Sequence, residues 1–337
     1  RDRAGETIDQ ALLVWMPGPA SFTGEDRAEF HLHGGRAVVA ALLAALAAQA
    51  GTRPAEPGEY SRRAFDHGRI DLTAAEALAD LIAAETEAQR RQAQRQAEGG
   101  LARLYDGWRA DLIGHMALLE ADLDFADEDL PVDLLAPVGQ GLGALAAAMA
   151  AHLADGHKGE RLRDGLKIVV LGPPNAGKSS LINHIARRDV AIVSAEAGTT
   201  RDLIEVHLDL GGLPVTMVDT AGLRQAAGAV EAEGMRRARQ AAANAAMRLL
   251  VYDACIGPPP PDLAALADDD SLMIGNKVDL GQAAPLPAGH WPVSARTGEG
   301  LERVLQDITA RLGAAYAPAE APLLTRSRHR HALEQAQ

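Results

Sequence analysis

The run GPPNAGKS, Gly172 to Ser179, constrains this chain more than any other feature. It follows the apolar stretch LKIVVLG and precedes a helical pattern, so it reads as G-x-x-x-x-G-K-S at a strand–loop–helix junction. The glycines permit a tight loop whose N–H groups face phosphate oxygens, and the helix N-terminus adds positive potential. Asn175, Ala176, Gly177, Lys178, Ser179 and Ser180 are therefore expected to cradle a nucleotide. Lys178 reaches the β/γ-phosphates and Ser179 ligates Mg²⁺ in this reading.

Around the loop the texture is that of an open α/β sheet. IEVHLDL, LPVTMVDT, MRLLVYDA, LMIGNKVD and WPVSA are short apolar runs, several ending in a polar motif, with helical segments between most of them. Gly211-Gly212 reads as a hairpin turn between two strands. In such sheets ligands sit at the carboxyl ends of strands, where the polar motifs fall.

Asn276 to Asp279, NKVD, decides which nucleotide is bound. The Asp279 carboxylate can accept two hydrogen bonds from guanine, at N1–H and the 2-amino group. Adenine offers neither and would leave a charge unpaired, so GTP is expected and ATP is not. Asn276 braces the loop and the base, and the stem of Lys277 covers one face of the base. Ser294, Ala295 and Arg296 follow one more strand and complete the pocket with a backbone N–H.

Between these motifs lies GTTRD, Gly198 to Asp202, whose Thr200 binds Mg²⁺ when a γ-phosphate draws its loop in. Asp219, Thr220, Ala221 and Gly222 form the DTAG run, with Asp219 holding the metal through water and the Gly222 N–H sensing the γ-phosphate. Many small GTPases place a Gln next, to orient the attacking water. This chain has Leu223, which can neither donate nor accept a hydrogen bond. Either GTP is not hydrolysed or another group holds the water.

Upstream, residues 1–67 read as a small α/β unit: ALLVWM and AEFHLHGG are strand-like, and a helix runs from about Arg36 to Gln49. From DLTAAEALADLIAAE the pattern turns helical, with Thr73 and Glu76 expected to form a capping box. Leu101, Leu104, Trp108, Leu112, Met116 and Leu119 recur as a helix face seeking a partner helix. His31 and His33 are read as solvated or packed side chains rather than metal ligands, for want of a third ligand.

Composition narrows the functional classes. The net charge of −13, from 33 basic and 46 acidic residues, argues against general electrostatic gripping of nucleic acid. TRSRHRH (325–331) and QRRQAQRQ (89–96) are the evident basic patches, each read first as a solvated helix face. No apolar run reaches the roughly 18 residues of a membrane span. A lone cysteine, Cys255, supports neither a disulfide framework nor a thiolate cage, and points to reducing cytosol and a cytoplasmic protein. The opening without Met and the end within a helical pattern read as those of a fragment.

Several stretches together resemble the MnmE (TrmE) family of tRNA-modification GTPases. They are PNAGKS with Asn175, AIVSAEAGTTRD, DTAGLR and AVEAEGMRRA in the G domain. PGPASFTGEDRAEFHLHGG and RPAEPGEYSRRAFDHGRIDLTAAEALADLI are similar to the family's N-terminal folate-binding domain and the start of its helical domain. LDFADEDLP and RSRHRHALEQA resemble later helical stretches, so the likeness covers nearly the whole chain.

The resemblance implies a multidomain α/β plus all-α protein. A Ras-like P-loop G domain (165–321), with a mixed, mostly parallel sheet, would be inserted in a helical domain (68–164 and 322–337). A partial α/β tetrahydrofolate-binding domain (1–67) would precede them and form a homodimer. It also implies an answer to the missing Gln. K⁺ would be held by the Asn175 side chain and by backbone carbonyls around Ser194, Glu196 and Thr199. That cation would stabilise developing charge as an arginine finger does. Glu231, nine residues past Gly222, would orient the water, with Glu233 as its rival. Glu29 and Arg69 fall at folate-contacting positions, for a 5-formyl or 5,10-methylene derivative.

The implied partners are a second copy, tRNA and the flavoprotein MnmG/GidA in a heterotetramer, with FAD entering only through that partner. The implied reaction installs an aminomethyl-type (carboxymethylaminomethyl) group at C5 of the wobble uridine. The family's N-terminal segment and its cysteine-bearing C-x-G-K tail do not occur in this sequence, so the expectation is GTP hydrolysis without completed tRNA modification. A ribosome-assembly switch of the Era or Der kind is the alternative, which a basic KH-type module or a second G domain would mark.

Overall fold

The computed structural model describes residues 1–124, 135–188, 190–192, 205–219, 245–281, 285–317 and 323–337. Its centre is a six-stranded sheet. β3 (Leu166–Leu171), β4 (Glu205–Leu210), β5 (Leu213–Asp219), β6 (Met247–Asp253), β7 (Ser271–Asn276) and β8 (Trp291–Val293) lie in the order β4-β5-β3-β6-β7-β8. β4 and β5 are antiparallel and the remaining pairs are parallel. The sheet is mixed and mostly parallel, as the family resemblance implied.

β3 is buried on both faces, which its near-continuous run of apolar side chains dictates. Ile168 and Val170 enter one core cluster, Val169 and Leu171 the other, following the two-residue period of a strand. The larger cluster takes Leu181, Ile182 and Ile185 of α7 (Lys178–Ala186). Leu301, Val304, Leu305, Ile308 and Leu312 of α9 (Leu301–Ala315) enter the same core. A four-residue helix, α8 (Pro261–Ala264), sends Leu263 into the smaller cluster. From β3 the chain turns first toward β5 and later toward β6, so the switch point of the sheet lies at the carboxyl end of β3.

The Gly211-Gly212 turn joins β4 to β5 with φ of 65° and 86°. Both residues have positive φ, the requirement of a type I′ turn. The carbonyl of Gly212 accepts a hydrogen bond from Ala88 N at 2.9 Å, which docks the hairpin onto the first turn of α4 (Glu87–Ala97).

The helical part comprises α3 (Leu72–Ala83), α4, α5 (Gly100–Asp124), α6 (Ala136–Asp164) and α10 (Ser327–Ala336). The capping box expected at Thr73 and Glu76 is not formed. α3 begins earlier, and Asp71 caps it by accepting from Ala74 N at 2.8 Å, while Thr73 Oγ1 donates to Asp71 at 2.6 Å. The box occurs instead at Thr86 and Gln89 of α4, in the same T-x-x-Q/E spacing. Glu76 is turned to α10, where Arg328 Nε lies 2.9 Å from its carboxylate.

The apolar face foreseen on α5 is only partly covered. Leu101 is buried, and Tyr105 and Trp108 pack edge-on against His152 of α6. Burial raises the Tyr105 pKa and lowers that of His152. Farther along, α6 passes the His115 side, where Gly141 leaves no room for a Cβ, and Leu112 and Met116 stay 41% and 51% exposed.

The basic patches are committed within the fold. Arg326 lies 2.6 Å from Asp80 of α3 and Arg330 lies 3.0 Å from Glu160 of α6, so the TRSRHRH segment ties α10 down rather than lying free in solvent. Gln96 Nε2 donates to Thr325 Oγ1 at 2.8 Å in a buried contact at the same junction. Arg90 and Arg91 pair with Glu87 on an exposed face of α4, as a solvated helix face does.

The N-terminal residues form β1 (Leu12–Met16) and β2 (Arg27–His31), paired antiparallel, with α1 (Arg36–Ala47) and α2 (Glu59–Asp66). His33 is held by Asp9, its Nδ1 2.8 Å from that carboxylate, and no group of three or more His, Cys, Asp or Glu side chains placed to hold a metal ion occurs among the described residues. No described helix is long and apolar enough to cross a membrane.

Candidate functional site

The site is built at the carboxyl ends of β3, β5, β6 and β7. β3 runs directly into the phosphate loop. Gly172, the first loop residue, lies so close to β6 that an added Cβ would collide with the Val251 carbonyl. Only glycine lets the loop leave the sheet there. Asn175 adopts a left-handed backbone with φ 60°, a conformation Asn tolerates better than most residues. Gly177, with φ 94°, opens α7, and a Cβ on it would meet the Asn276 amide.

Lys178 is buried, and its Nζ donates to the carbonyls of Gly172 at 3.0 Å and Pro173 at 2.9 Å. The ammonium is thereby held over the loop that its own backbone closes. Ser179 Oγ donates to Asp219 Oδ2 at 2.6 Å. Asp219 ends β5 and is 1% exposed, so two hard oxygen donors from separate elements meet beside the loop. This donor set suits Mg²⁺, which takes one or two protein oxygens together with phosphates and water.

The second half of the cleft is tied to the first by one side chain. Asn276, 2% exposed, donates from Nδ2 to the Ala176 carbonyl at 2.7 Å and accepts at Oδ1 from Ala295 N at 2.9 Å. It therefore bridges the phosphate loop to the SAR loop. Asp279 faces this bridge. Its Oδ1 accepts from Ser294 Oγ at 2.8 Å, and Arg296 Nε lies 3.2 Å from Oδ2. The Ser294 carbonyl accepts from Gly298 N at 2.8 Å and its N–H donates to Glu299 O at 3.0 Å, which closes the loop behind it.

Two depressions follow from this geometry. One of about 570 Å³ is lined by Asn175, Gly177, Lys178, Ser179, Ser180 and Lys277, with Pro174 at its edge. The other, about 190 Å³, is lined by Gly177, Ser180, Asn276, Lys277, Asp279, Leu280, Ala295 and Arg296. Gly177, Ser180 and Lys277 are common to both, so the two depressions adjoin. Phosphate-binding and base-reading residues predicted some hundred positions apart in sequence are thus brought together.

Family models match nearly the whole chain in two parts. The N-terminus of the GTP-binding protein TrmE matches residues 1–69, and the MnmE helical domain matches residues 72–337. The curated relatives agree. The tRNA modification GTPase MnmE of Rhodospirillum rubrum is 55% identical over 340 aligned positions, covering 99% of this chain and 75% of that protein. The chain belongs to the MnmE family. The MnmE proteins of Paramagnetospirillum magneticum and Parvibaculum lavamentivorans are 54% and 53% identical, covering 100% and 97% of this chain and 77% and 74% of theirs. The reading as an Era- or Der-like switch gives way to MnmE family membership.

Not every expected residue falls within the described structure. Ser194, Glu196, Thr199, Thr200, Thr220, Ala221, Gly222, Leu223, Glu231 and Glu233 lie outside the described residues. Glu29 pairs with Arg27 at 2.7 Å, and the Arg69 stem packs over Gly24. One participant escaped the sequence reading: Asp253, at the end of VYD, whose carboxylate meets Lys277 Nζ at 2.7 Å. Its signal was a carboxylate at a strand end beside two other strand-end motifs.

Proposed function

We propose that this chain hydrolyses GTP as part of tRNA modification. The observation that carries the proposal is the Asn276 bridge, which joins the loop of residues 172–179 to the SAR loop, whose Ser294 and Arg296 engage Asp279. Lys178 supplies positive charge to the β/γ-phosphates, and the N–H groups of the loop and of the first turn of α7 hold the phosphate oxygens. Ser179 and Asp219 would hold Mg²⁺, with Thr200 as a third contact, and the ion would neutralise charge on the bridging phosphates. Asp279 selects guanine, Lys277 covers the base, and Arg296 flanks it.

Glu231 orients the water in this account and replaces the Gln that Leu223 displaces. Asn175, at the shoulder of the loop, offers a side-chain oxygen to K⁺, with backbone carbonyls around Ser194, Glu196 and Thr199 completing the set. The Glu29 carboxylate, although engaged by Arg27, has lone pairs left for the N–H edge of a pterin, and Arg69 suits the glutamate tail of a 5-formyl or 5,10-methylene tetrahydrofolate. The protein acts in the cytoplasm as a homodimer with MnmG/GidA and tRNA, at C5 of the wobble uridine. We assign residues 165–321 to the G domain and 68–164 with 322–337 to the helical domain, since α10 is stapled to α3 and α6.

The test of the hydrolytic part is GTP turnover at equal ionic strength in K⁺ and in Na⁺. A cation acting as an arginine finger should make K⁺ faster by about 10³-fold or more. Equal rates would remove the K⁺ role from Asn175.

A further inference from the structure

We propose that Asp253 is a positioning residue for guanine-nucleotide retention, acting through Lys277. The proposal rests on the guanine-nucleotide reading of the cleft. β6 and β7 are parallel neighbours, and their last residues, Asp253 and Asn276, are paired in register. Lys277 leaves β7 with a left-handed backbone, φ 71°, and so turns back across the strand ends. Its Nζ meets Asp253 Oδ2 at 2.7 Å, with the carboxylate 11% and the lysine 32% exposed.

The other carboxylate oxygen has a separate task. Asp253 Oδ1 accepts from Cys255 N at 3.0 Å and shapes the turn that follows β6. One oxygen pins the turn and the other pins the lysine. Because Lys277 lines both the phosphate and the base depressions, its fixed stem is a wall of the whole cleft. An unanchored lysine stem samples many rotamers and must be ordered each time a nucleotide binds. The ion pair orders it beforehand. It is also partly shielded from water, where a charge-assisted hydrogen bond is stronger than its exposed counterpart.

Asp253→Asn separates the two tasks, since the amide oxygen can still accept from Cys255 N while the charge opposite Lys277 is gone. The experiment measures dissociation of N-methylanthraniloyl-GDP by stopped-flow fluorescence for wild type, Asp253→Asn, Lys277→Ala and the double variant, with a thermal melt of each. Asp253→Asn is expected to speed release by about 10-fold, with an unchanged melting temperature. In the Lys277→Ala background it should add nothing. Unchanged release in Asp253→Asn, or effects that multiply in the double variant, would overturn the role. So would a lowered melting temperature that accounts for the faster release. Failure of the wild-type chain to retain the probe would overturn the guanine-nucleotide reading itself, whereas retention by wild type with unchanged Asp253→Asn overturns only the role of Asp253.

Discussion

Asp279→Asn is expected to lower affinity for guanine nucleotides by roughly 10²- to 10⁴-fold and to raise affinity for xanthine nucleotides. A hydrogen bond to a charged acceptor contributes about 1.5–3 kcal/mol, and two of them join the carboxylate to the guanine edge. An amide replaces one acceptor with a donor that faces the N–H groups of guanine, whereas the xanthine 2-oxo group accepts from it. Asp279 is well placed for this discrimination. It is 11% exposed and oriented by Ser294 Oγ at 2.8 Å, so swinging into water to relieve a mismatch would cost it that hydrogen bond. Equilibrium binding of GDP and XDP to wild type and variant measures the shift. Unchanged GDP affinity would undo the assignment of Asp279 to the base.

Glu231→Ala is expected to lower GTP turnover by about 10²- to 10⁴-fold, the range for losing a positioned acid–base group. GTP affinity should stay within about two-fold, because a residue that acts on the water alone would leave nucleotide binding intact. A side chain without a donor or acceptor follows the DTAG run, so a chain that hydrolyses GTP must hold its water with another group. The family resemblance points to Glu231, and Glu233 is the neighbour that could take the same part. Single-turnover hydrolysis of both alanine variants separates them. Loss in Glu233→Ala with normal turnover in Glu231→Ala would move the role by two residues.

The geometry of the candidate cleft was legible in the sequence because a phosphate-loop pattern depends on short, rigid spacings. A loop that wraps phosphate needs Gly172 and Gly177 where backbone or the Asn276 side chain presses close, and those needs survive as a local pattern. The sheet was legible for a similar reason, since strands buried on both faces read as apolar runs. The capping box at Thr73 and Glu76 does not form because Asp71, also a favoured N-cap type, caps α3 two residues earlier, while Glu76 pairs with Arg328 of α10. The exposed stretch of α5 was misjudged because periodicity states which residues share a face without stating what lies against it. Asp253 was missed because its partner is 24 residues away and an isolated carboxylate carries no spacing signal.

The most direct measurement is the rate of GTP and ATP hydrolysis by the wild-type chain in Mg²⁺ and K⁺. The account predicts turnover of GTP and at least about 100-fold slower turnover of ATP, since adenine leaves the Asp279 charge unpaired. Equal hydrolysis of the two nucleotides, or none of GTP, would contradict it.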